Sequence, residues 1–234
     1  EWSKEFKDIE DKNSEPMYYE NLPFRFDTRG IIYNKRAHVY KVNIQTKKFT
    51  KIVDGDANDI ISISSLVEGE KGIVLSFDQY NLKGTMLEEK IGAIEGSKIK
   101  EIYSKGSMGN LFYYEDCLHA VGMKKRFDWP TNTSILKISS SGKVSFKYPS
   151  FDRNVVKAEV NKDILYFLYE DSGKTLLRDG TNDIDLINSE ITIKDFAFNN
   201  EKTYVIANSF SNPDEIYELN NGQLTQISKA NESF

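Results

Sequence analysis

The chain of 234 residues contains very little cysteine, and this shortage excludes a disulfide framework. Its single cysteine, Cys117, has no partner within the chain, so the fold cannot depend on an internal disulfide. Cys117 stands in the run LFYYEDCLHAV, where a free thiol is expected to behave as a buried small apolar side chain. A chain without disulfides suits a reducing compartment, so we expect a cytoplasmic protein.

Long apolar runs and an excess of positive charge are also missing. No stretch reaches the roughly 18 apolar residues that a membrane-spanning helix requires. The net charge is −5, whereas a generic nucleic-acid or anionic-membrane binder carries a basic surface. The short basic cluster Lys124-Lys125-Arg126 predicts a solvated face. We therefore expect no nucleic-acid partner and no membrane partner.

Histidine is scarce, which limits acid–base catalysis. Acyl transfer by a serine needs a nucleophile, a base and an orienting acid. Only His38 and His119 could serve as the base, and the sequence contains no G-x-S-x-G nucleophile elbow. The nearest string, Gly106-Ser107-Met108-Gly109, lacks the required spacing. We predict no catalytic residue in this chain.

The sequence also lacks the residue clusters that hold metals. One cysteine and two distant histidines do not make a zinc site. The run from Asp54 to Asp59 begins like a calcium loop, but Asp59 stands where the loop needs glycine. Ser65 stands at the twelfth position in place of the required glutamate. This run therefore predicts a turn between two structural units, and we expect no metal.

Two further motifs are incomplete. Gly173-Lys174-Thr175 resembles the end of a phosphate-binding loop, but the upstream glycine and the following helix are missing, so it predicts a hairpin. Glu88 and Glu89 are adjacent in a predicted strand and point to opposite faces, so they cannot act as a carboxylate pair. We predict no bound cofactor.

The chain is rich in aromatic residues arranged in short alternating strands. It has 14 Phe and 13 Tyr, enough for a sizeable core. Between Lys194 and Ser228 four such strands are separated by polar turns, and Asn221-Gly222 is a strong two-residue hairpin signal. The segment from Thr203 to Asn208 is apolar on both sides, which indicates that both of its faces are covered.

The same four-strand pattern recurs upstream. The last hairpin turn of each unit recurs at a spacing of roughly 40 to 50 residues, the period of a β-propeller blade. These turns fall near Lys47, Gly96, Gly142, Gly180 and Gly222. A β-sandwich is the structural alternative, but it predicts no repeat of this pattern. We therefore predict an all-β chain that forms a propeller of four-stranded blades, with about five blades visible.

The repeat predicts the domain organisation. Residues 1–22 are a charged entry segment that partly supplies a missing inner strand, and the only helical periodicity falls in residues 1–12. The first blade range contains three strands, IIYN, HVYKVNI and KFTKIV, which we expect to be the last three of their blade. The predicted blades cover residues 23–56, 57–104, 105–150, 151–189 and 190–228.

The two ends of the chain resemble the propeller of the prolyl oligopeptidase family, especially its acylaminoacyl-peptidase branch. The resemblance at the front is carried by Leu22-Pro23-Phe24, Asp27, Gly30, Tyr33, Arg36, His38-Val39-Tyr40 and Asp54-Gly55-Asp56. The resemblance at the end is carried by Phe196-Ala197-Phe198, Ile206-Ala207, Pro213-Asp214-Glu215-Ile216-Tyr217, Gln223-Leu224-Thr225 and Asn231-Glu232.

The resemblance implies a non-catalytic role. In that family a propeller, usually seven-bladed, caps an α/β-hydrolase domain that carries the catalytic Ser, Asp and His. This sequence has no such domain, so no catalytic residue is carried over, and residues 229–234 are expected to begin the linker to it. Because the chain starts with Glu1, we expect it to be a piece of a longer polypeptide. The implied partners are the hydrolase domain of the parent protein and short or N-acylated peptides.

Two other functions remain open. The chain can be a stand-alone propeller that serves as a protein-interaction scaffold. It can also be a propeller enzyme of another chemistry, such as a lyase or glycosidase, which needs acids or histidines converging on the central axis. Whatever the function, an incomplete ring exposes apolar blade faces, and such faces favour association, so we expect either a homodimer or an altered closure of the ring.

Overall fold

A computed structural model of the chain describes residues 18–27, 30–32, 35–126, 130–187, 190–199 and 201–231. The predicted helical periodicity of residues 1–12, most of the entry segment, Tyr33, and Glu232 with the end of the predicted linker lie outside these ranges. The described part of the chain is built from strands and a single helical turn, α1 (Gly55–Asn58). None of its helices has the length and apolar character needed to cross a membrane.

In the described ranges twenty strands form six sheets, and four of these sheets have four strands each. Two short antiparallel pairs come first: β1 (Arg25–Phe26) with β2 (Gly30–Ile31), and β3 (Val39–Val42) with β4 (Phe49–Val53). The first four-stranded sheet is β5 (Ser62–Gly69), β6 (Gly72–Tyr80), β7 (Leu87–Glu95) and β8 (Lys98–Tyr103); the second is β9 (Ser107–Tyr114), β10 (Cys117–Met123), β11 (Ser134–Ile138) and β12 (Val144–Phe146). The third is β13 (Val155–Asn161), β14 (Ile164–Asp171), β15 (Lys174–Asp179) and β16 (Ile184–Asp185); the fourth is β17 (Thr192–Asn199), β18 (Lys202–Asn208), β19 (Glu215–Asn220) and β20 (Gln223–Gln226).

Each four-stranded sheet is an antiparallel meander whose strands follow sequence order. Tight hairpins join the strands, because pairs of residues with positive φ match the right-handed twist of the flanking strands. Such pairs stand at Glu115-Asp116, Lys162-Asp163, Ser172-Gly173 and Asn221-Gly222. The hairpins predicted at Gly173 and at Asn221-Gly222 are therefore confirmed.

The sheets stack face to face in chain order, and one strand serves two cores. In β9, Leu111 belongs to the cluster shared with Val74 of β6, whereas its neighbour Phe112 belongs to the cluster shared with Phe167 of β14. In β14 the neighbouring residues Phe167 and Leu168 likewise belong to two different clusters, and Leu168 shares its cluster with Phe196 of β17. Strand alternation thus explains why these strands are apolar on both sides.

This stacking confirms the all-β propeller fold and excludes the β-sandwich. A sandwich has one core between two sheets, whereas here successive cores separate successive sheets. Each of the four-stranded sheets lies inside one of the ranges 57–104, 105–150, 151–189 and 190–228. The number of blades in the complete ring stays a prediction.

The front of the chain differs from the four-stranded sheets. Of the three strands predicted for one blade, HVYKVNI and KFTKIV contain β3 and β4, which pair with each other, whereas Tyr33 and Asn34 of IIYN lie outside the described residues. Among the described residues β2 pairs with β1, and the Ala37 N–H donates to the Ile60 carbonyl at 2.8 Å. The front is fastened to the β5–β8 sheet, where the Tyr80 hydroxyl donates to the Pro23 carbonyl.

Candidate functional site

The first strands of the four complete sheets, β5, β9, β13 and β17, form what we call the inner row. Neighbouring strands of this row are joined through side chains. The Leu111 N–H donates to Ser65 Oγ at 2.8 Å, and the Ala158 N–H donates to Asn110 Oδ1 at 2.5 Å. The Lys157 ammonium donates to the Phe196 carbonyl at 2.9 Å. Each link thus joins one sheet to the next.

A β-bulge next to each link turns the linking side chain toward its neighbour. The pairing register shifts between Ile63 and Ser65 in β5, between Val155 and Lys157 in β13, and between Ile193 and Asp195 in β17. In β9 the bulge lies between Gly109 and Phe112, which pair with Val121 and His119 of β10. Because a bulge inserts one residue and bends its strand, it re-aims a side chain out of the regular alternation.

A hydroxyl-rich cluster lies between the first two complete sheets. The Glu89 carboxylate accepts from Ser76 Oγ at 2.9 Å and from Ser107 Oγ at 2.7 Å. Ser76 is completely buried, and its hydroxyl lies 2.6 Å from the Met108 carbonyl. In the described residues neither histidine joins this cluster. Its hydrogen bonds fasten β6 and β7 to β9.

His119 is a core residue. It is fully buried, stacks on Phe112 with ring centroids 5.5 Å apart, and donates from Nδ1 to the Cys117 carbonyl at 3.0 Å. Within the described part of the chain Nε2 has no hydrogen-bond partner. Burial lowers the pKa of His119, since desolvation penalises the imidazolium. The side chain is positioned for packing and is out of reach of any substrate.

His38 stabilises the turn that follows β4. Asp54 caps α1 by accepting from the Asp56 N–H, and the Gly55 N–H donates to His38 Nδ1 at 2.9 Å. The hydrogen bond from the Asp56 N–H is the main cause that lowers the pKa of Asp54. Gly55 is required here because a Cβ would stand 2.0 Å from the Ala37 carbonyl oxygen. The run predicted to be a turn between two units therefore forms a short helical turn between β4 and β5.

His38, Asp54 and Asp56 are close enough to suggest a metal site, with one ligand atom from each within 4.8 Å of the others. The hydrogen bonding argues against that use. Because His38 Nδ1 accepts the Gly55 N–H, the proton of the neutral ring is on Nε2, and a protonated nitrogen cannot bind a metal. If Nε2 bound a metal, the ring proton would have to be on Nδ1, and the Nδ1–H and the Gly55 N–H would then face each other as two donors. These residues thus fit a structural turn better than a metal centre.

A cleft of about 370 Å³ opens between the loop after β12 and the β13–β16 sheet. Aromatic side chains line it, and Arg178 lies over the Phe151 ring at 5.7 Å. Arg178 is already paired with Asp183 at 2.7 Å and with Asp185 at 2.6 Å, so it offers no free charge to an anion. Burial raises the pKa of the Tyr148 phenol, whose hydroxyl donates to the Gly180 carbonyl. The Tyr148–Gly180 hydrogen bond fastens the loop after β12 to the β13–β16 sheet.

The remaining sequence motifs are spread through the molecule. Glu88 and Glu89 are both in β7, and Gly106 precedes β9. Cys117 was predicted to be buried; it is a half-buried free thiol, because it stands at the exposed hairpin end of β10. The basic cluster was predicted to be solvated; only Lys125 is exposed, whereas Arg126 folds back to donate to the Leu87 carbonyl.

Sequence reasoning missed one well-formed polar site, the latch around Glu215. This carboxylate is 6% exposed and accepts from the Ser228 hydroxyl, from the Asn231 N–H at 2.8 Å and from the Ala230 N–H at 3.1 Å. The Ser228 hydroxyl is the largest cause that lowers the pKa of Glu215. The latch folds the segment after β20 back against β19. Both Glu215 and Asn231 were among the residues of the family resemblance, which is the signal that pointed to them.

No protein-family model and no curated protein matches the sequence, whereas several solved structures have a similar fold. Among solved structures, Pyrococcus horikoshii acylaminoacyl peptidase is similar with a TM-score of 0.70 and 15% identity, over 94% of this chain and 35% of that chain. The β-propeller domain of the Trilobed protease from Pyrococcus furiosus, described as having an open velcro topology, gives a TM-score of 0.57 and 14% identity, over 84% of this chain and 77% of that one.

A puromycin-hydrolyzing peptidase of Mycobacterium tuberculosis is also similar, with a TM-score of 0.57 and 14% identity, over 77% of this chain and 30% of that chain. At identities this low the similarity shows a shared fold and nothing further. The chain spans about a third, 35%, of the length of the acylaminoacyl peptidase that it matches. The chain therefore has the β-propeller fold of the Trilobed protease domain and is similar in structure to parts of these peptidases.

Proposed function

We propose that this chain is the non-catalytic propeller of an acylaminoacyl-peptidase-like serine peptidase, and that it admits short peptides to the active site of an α/β-hydrolase domain. The observation that carries the proposal is the extent of the structural match. It covers 94% of this chain but 35% of the peptidase chain, as expected when one domain of a larger enzyme is compared. The proposed partners are that hydrolase domain and short or N-acylated peptides.

The residues with catalytic chemistry support a non-catalytic role. His38 accepts a backbone N–H at a turn, and His119 is enclosed in an aromatic core. The carboxylate of Glu89 is hydrogen-bonded to two serine hydroxyls that have no imidazole beside them. Acyl transfer needs these groups to meet in one place. Because these groups lie apart, we assign the catalysis to another domain. The single free thiol is consistent with a cytoplasmic protein.

The packing of the sheets supports a gating role. A shared apolar core and an inner-row link join each complete sheet to the next, so a peptide cannot pass between the sheets without breaking both. Passage is then limited to the axis or to an opening beside the hydrolase domain. A folded protein is too wide for such a passage, whereas an extended peptide fits. A gate of this kind also shields the reaction from bulk water.

The first test is the coding sequence that follows Phe234 in the gene. The proposal predicts a G-x-S-x-G elbow within the next few hundred residues, followed by an aspartate and a histidine. A reading frame that stops without this elbow contradicts the proposal.

The second test is size selection by the longer protein. Hydrolysis of an N-acetylated tripeptide is compared with hydrolysis of the same tripeptide displayed on a loop of a folded carrier. The proposal predicts that the longer protein cleaves the tripeptide and spares the carrier. Removing residues 23–228 is expected to reduce this discrimination while a small p-nitrophenyl ester is still cleaved. Equal cleavage of both peptide forms by the intact enzyme contradicts gating.

A stand-alone interaction scaffold is the second candidate function. The observation that favours it is the exposed surface of the β3–β4 hairpin, where Ile44 is 81% and Phe49 is 67% exposed. The two candidates are separated by the gene: a scaffold predicts that the coding sequence ends near Phe234. The gating role predicts that it continues into a hydrolase domain.

A further inference from the structure

The segment that follows β20, residues 227–231, is attached to the last complete sheet by polar contacts. We call this segment the strap. Ile227 is 52% exposed, and Lys229 and Ala230 are also exposed. The apolar cluster of the sheet includes Leu224 of β20 and none of the strap residues, all of which lie in the described part of the chain. Burial of apolar surface therefore contributes little to holding the strap.

The polar contacts converge on one carboxylate. Glu215, the first residue of β19, is buried, and its two oxygens accept hydrogen bonds from three strap residues. The donors are the Ser228 hydroxyl, the Ala230 N–H at 3.1 Å, and Asn231 through its backbone N–H at 2.8 Å and its side-chain amide at 3.1 Å. Hydrogen bonds to an ionised acceptor are stronger than those between neutral groups, so this one charge dominates the attachment.

Ser228 connects the carboxylate to the backbone of β19. Its hydroxyl accepts from the Ile216 N–H at 2.7 Å while it donates to Glu215. The Ile216 carbonyl in turn accepts from the Ile227 N–H at 2.9 Å and from the Ser228 N–H at 3.3 Å. Glu215 orients this hydroxyl, so loss of its charge also weakens the pairing at the start of the strap.

The other hydrogen bonds of the strap join neutral groups. The Asn231 side-chain amide donates to the Asp214 carbonyl at 2.9 Å, and the Gln226 side-chain amide donates to the Ser228 carbonyl at 2.8 Å. Both contacts are exposed, and water competes for such groups, so each contributes little net stability. They are too weak to hold the strap once the carboxylate contacts are lost.

We propose that the strap is a releasable element of the last sheet, held closed by the negative charge of Glu215 and freed as a unit when that charge is lost, while β17, β18 and β19 stay folded. Local opening is expected where few buried apolar contacts oppose it. The three strands differ from the strap in this respect, since they bury Phe196, Val205 and Ala207 in the apolar cluster. This device needs no hydrolase domain, so it is independent of the gating role.

Acid is one way to remove the charge. The Ser228 hydroxyl is the first cause that lowers the pKa of Glu215, so the carboxylate stays ionised where an ordinary glutamate begins to take up a proton. The strap is therefore closed at neutral pH, and its attachment is lost as the pH falls through the lowered pKa, below about pH 4. The charged neighbours of the latch are Asp214, whose carboxylate accepts from Asn208 at 2.6 Å, and Lys229 in the strap itself.

Hydrogen exchange of the purified chain at neutral pH tests the proposal. Glu215→Gln removes the charge and keeps the shape of the side chain. The amides of residues 227–231 should exchange about tenfold faster or more, whereas the amides of β18 should keep their protection. Ser228→Ala leaves the carboxylate in place and removes one donor, so a smaller acceleration of about threefold is expected.

Glu218→Gln is the matched control, because Glu218 lies in the same strand and pairs with Lys202 of β18 at 2.9 Å. It removes an equal charge from β19, and exchange in the strap should stay within about twofold of that of the unmodified chain. Trypsin provides a second readout. Cleavage after Lys229 should be about tenfold faster in Glu215→Gln, whereas cleavage after Lys71 in the β5–β6 turn should not change.

Four results overturn the proposal. Unchanged exchange of the strap in Glu215→Gln shows that the carboxylate does not hold it. Equal acceleration in the strap and in β18 shows that the sheet opens as one body, and so does a Glu215→Gln chain that fails to fold. Acceleration of the same size in Glu218→Gln assigns the effect to the overall charge of β19.

Discussion

The β9–β12 sheet and the β3–β4 hairpin are built from the same kind of strand but in opposite surroundings. In β9 and β10 neighbouring residues pack into two different cores, so that Leu111 and Phe112 are both buried. In β3 and β4 only Val39 and Val53, at the base, are buried. The local sequences alternate and turn in similar ways, so the difference arises from the neighbours that each sheet has. The burial of a strand in this molecule therefore depends on the sheets that pack against both faces of its own sheet.

The strongest test of this comparison removes one aromatic side chain from each region. Phe167→Ala empties a site that is 1% exposed in the core between the second and third complete sheets, and about 3–5 kcal/mol of unfolding free energy should be lost. Phe49→Ala, at a position that is 67% exposed, should cost about 0.5 kcal/mol or less. Urea unfolding measures both. Similar losses for the two variants contradict the comparison.

A glycine pair tests how closely two paired strands, β9 and β10, approach each other. A Cβ at Gly122 would stand 2.2 Å from the Ser107 carbonyl oxygen, whereas a Cβ at Gly109 meets nothing within 4 Å. Both glycines are in strands of the same sheet. Gly122→Ala should destabilise by about 2–3 kcal/mol through backbone displacement, and Gly109→Ala should be close to neutral. If thermal unfolding shows equal shifts, the close packing of β9 on β10 is wrong.

The buried His119 predicts a pH dependence of the free energy of unfolding. Burial lowers its pKa in the folded state, so as the pH falls through about 6.5 the unfolded chain binds a proton that the folded chain resists. Stability is therefore complete above that pH and is lost below it, with a slope of up to about 1.4 kcal/mol per pH unit. His119→Phe should flatten this slope between pH 7 and pH 5.

Unfolding curves at several pH values measure the effect. A slope that persists unchanged in His119→Phe contradicts the assignment of this pH dependence to the buried imidazole.

The smallest effect concerns the outer face of the last complete sheet. Ile206 and Ile216 oppose each other there and are 38% and 42% exposed, unlike the corresponding residues of the inner sheets. We propose that this face supports a weak homodimer, since exposed apolar patches favour association. Light scattering of Ile206→Asp should show less dimer than the unmodified chain. A clean monomer of the unmodified chain at high concentration contradicts the proposal.

The repeat could be predicted from the sequence because its signals are local. Asn221-Gly222 and Gly173 set hairpins, and two-residue alternation sets strands whatever lies beyond them. The front could not be predicted in the same way, since the Ala37–Ile60 hydrogen bond joins residues that no local pattern connects. The prediction that Cys117 is buried was wrong, because the apolar run that contains it reaches the surface at a hairpin.

The site was harder to predict than the fold because its contacts join distant parts of the chain. The inner-row link from Asn110 to Ala158 and the latch from Glu215 to Asn231 depend on a bulge and on a returning segment. The separation of His38 from His119 could be anticipated, because the two fall in different units of the repeat. Their roles, one at a turn and one in a core, became evident only from the packing.

The most direct test of the central claim is covalent labelling of the purified chain with a fluorophosphonate probe, alongside hydrolysis of an N-acetylated peptide p-nitroanilide. The account predicts no labelled serine and hydrolysis at the buffer rate. A single labelled serine, with hydrolysis that the same probe abolishes, would contradict a non-catalytic propeller.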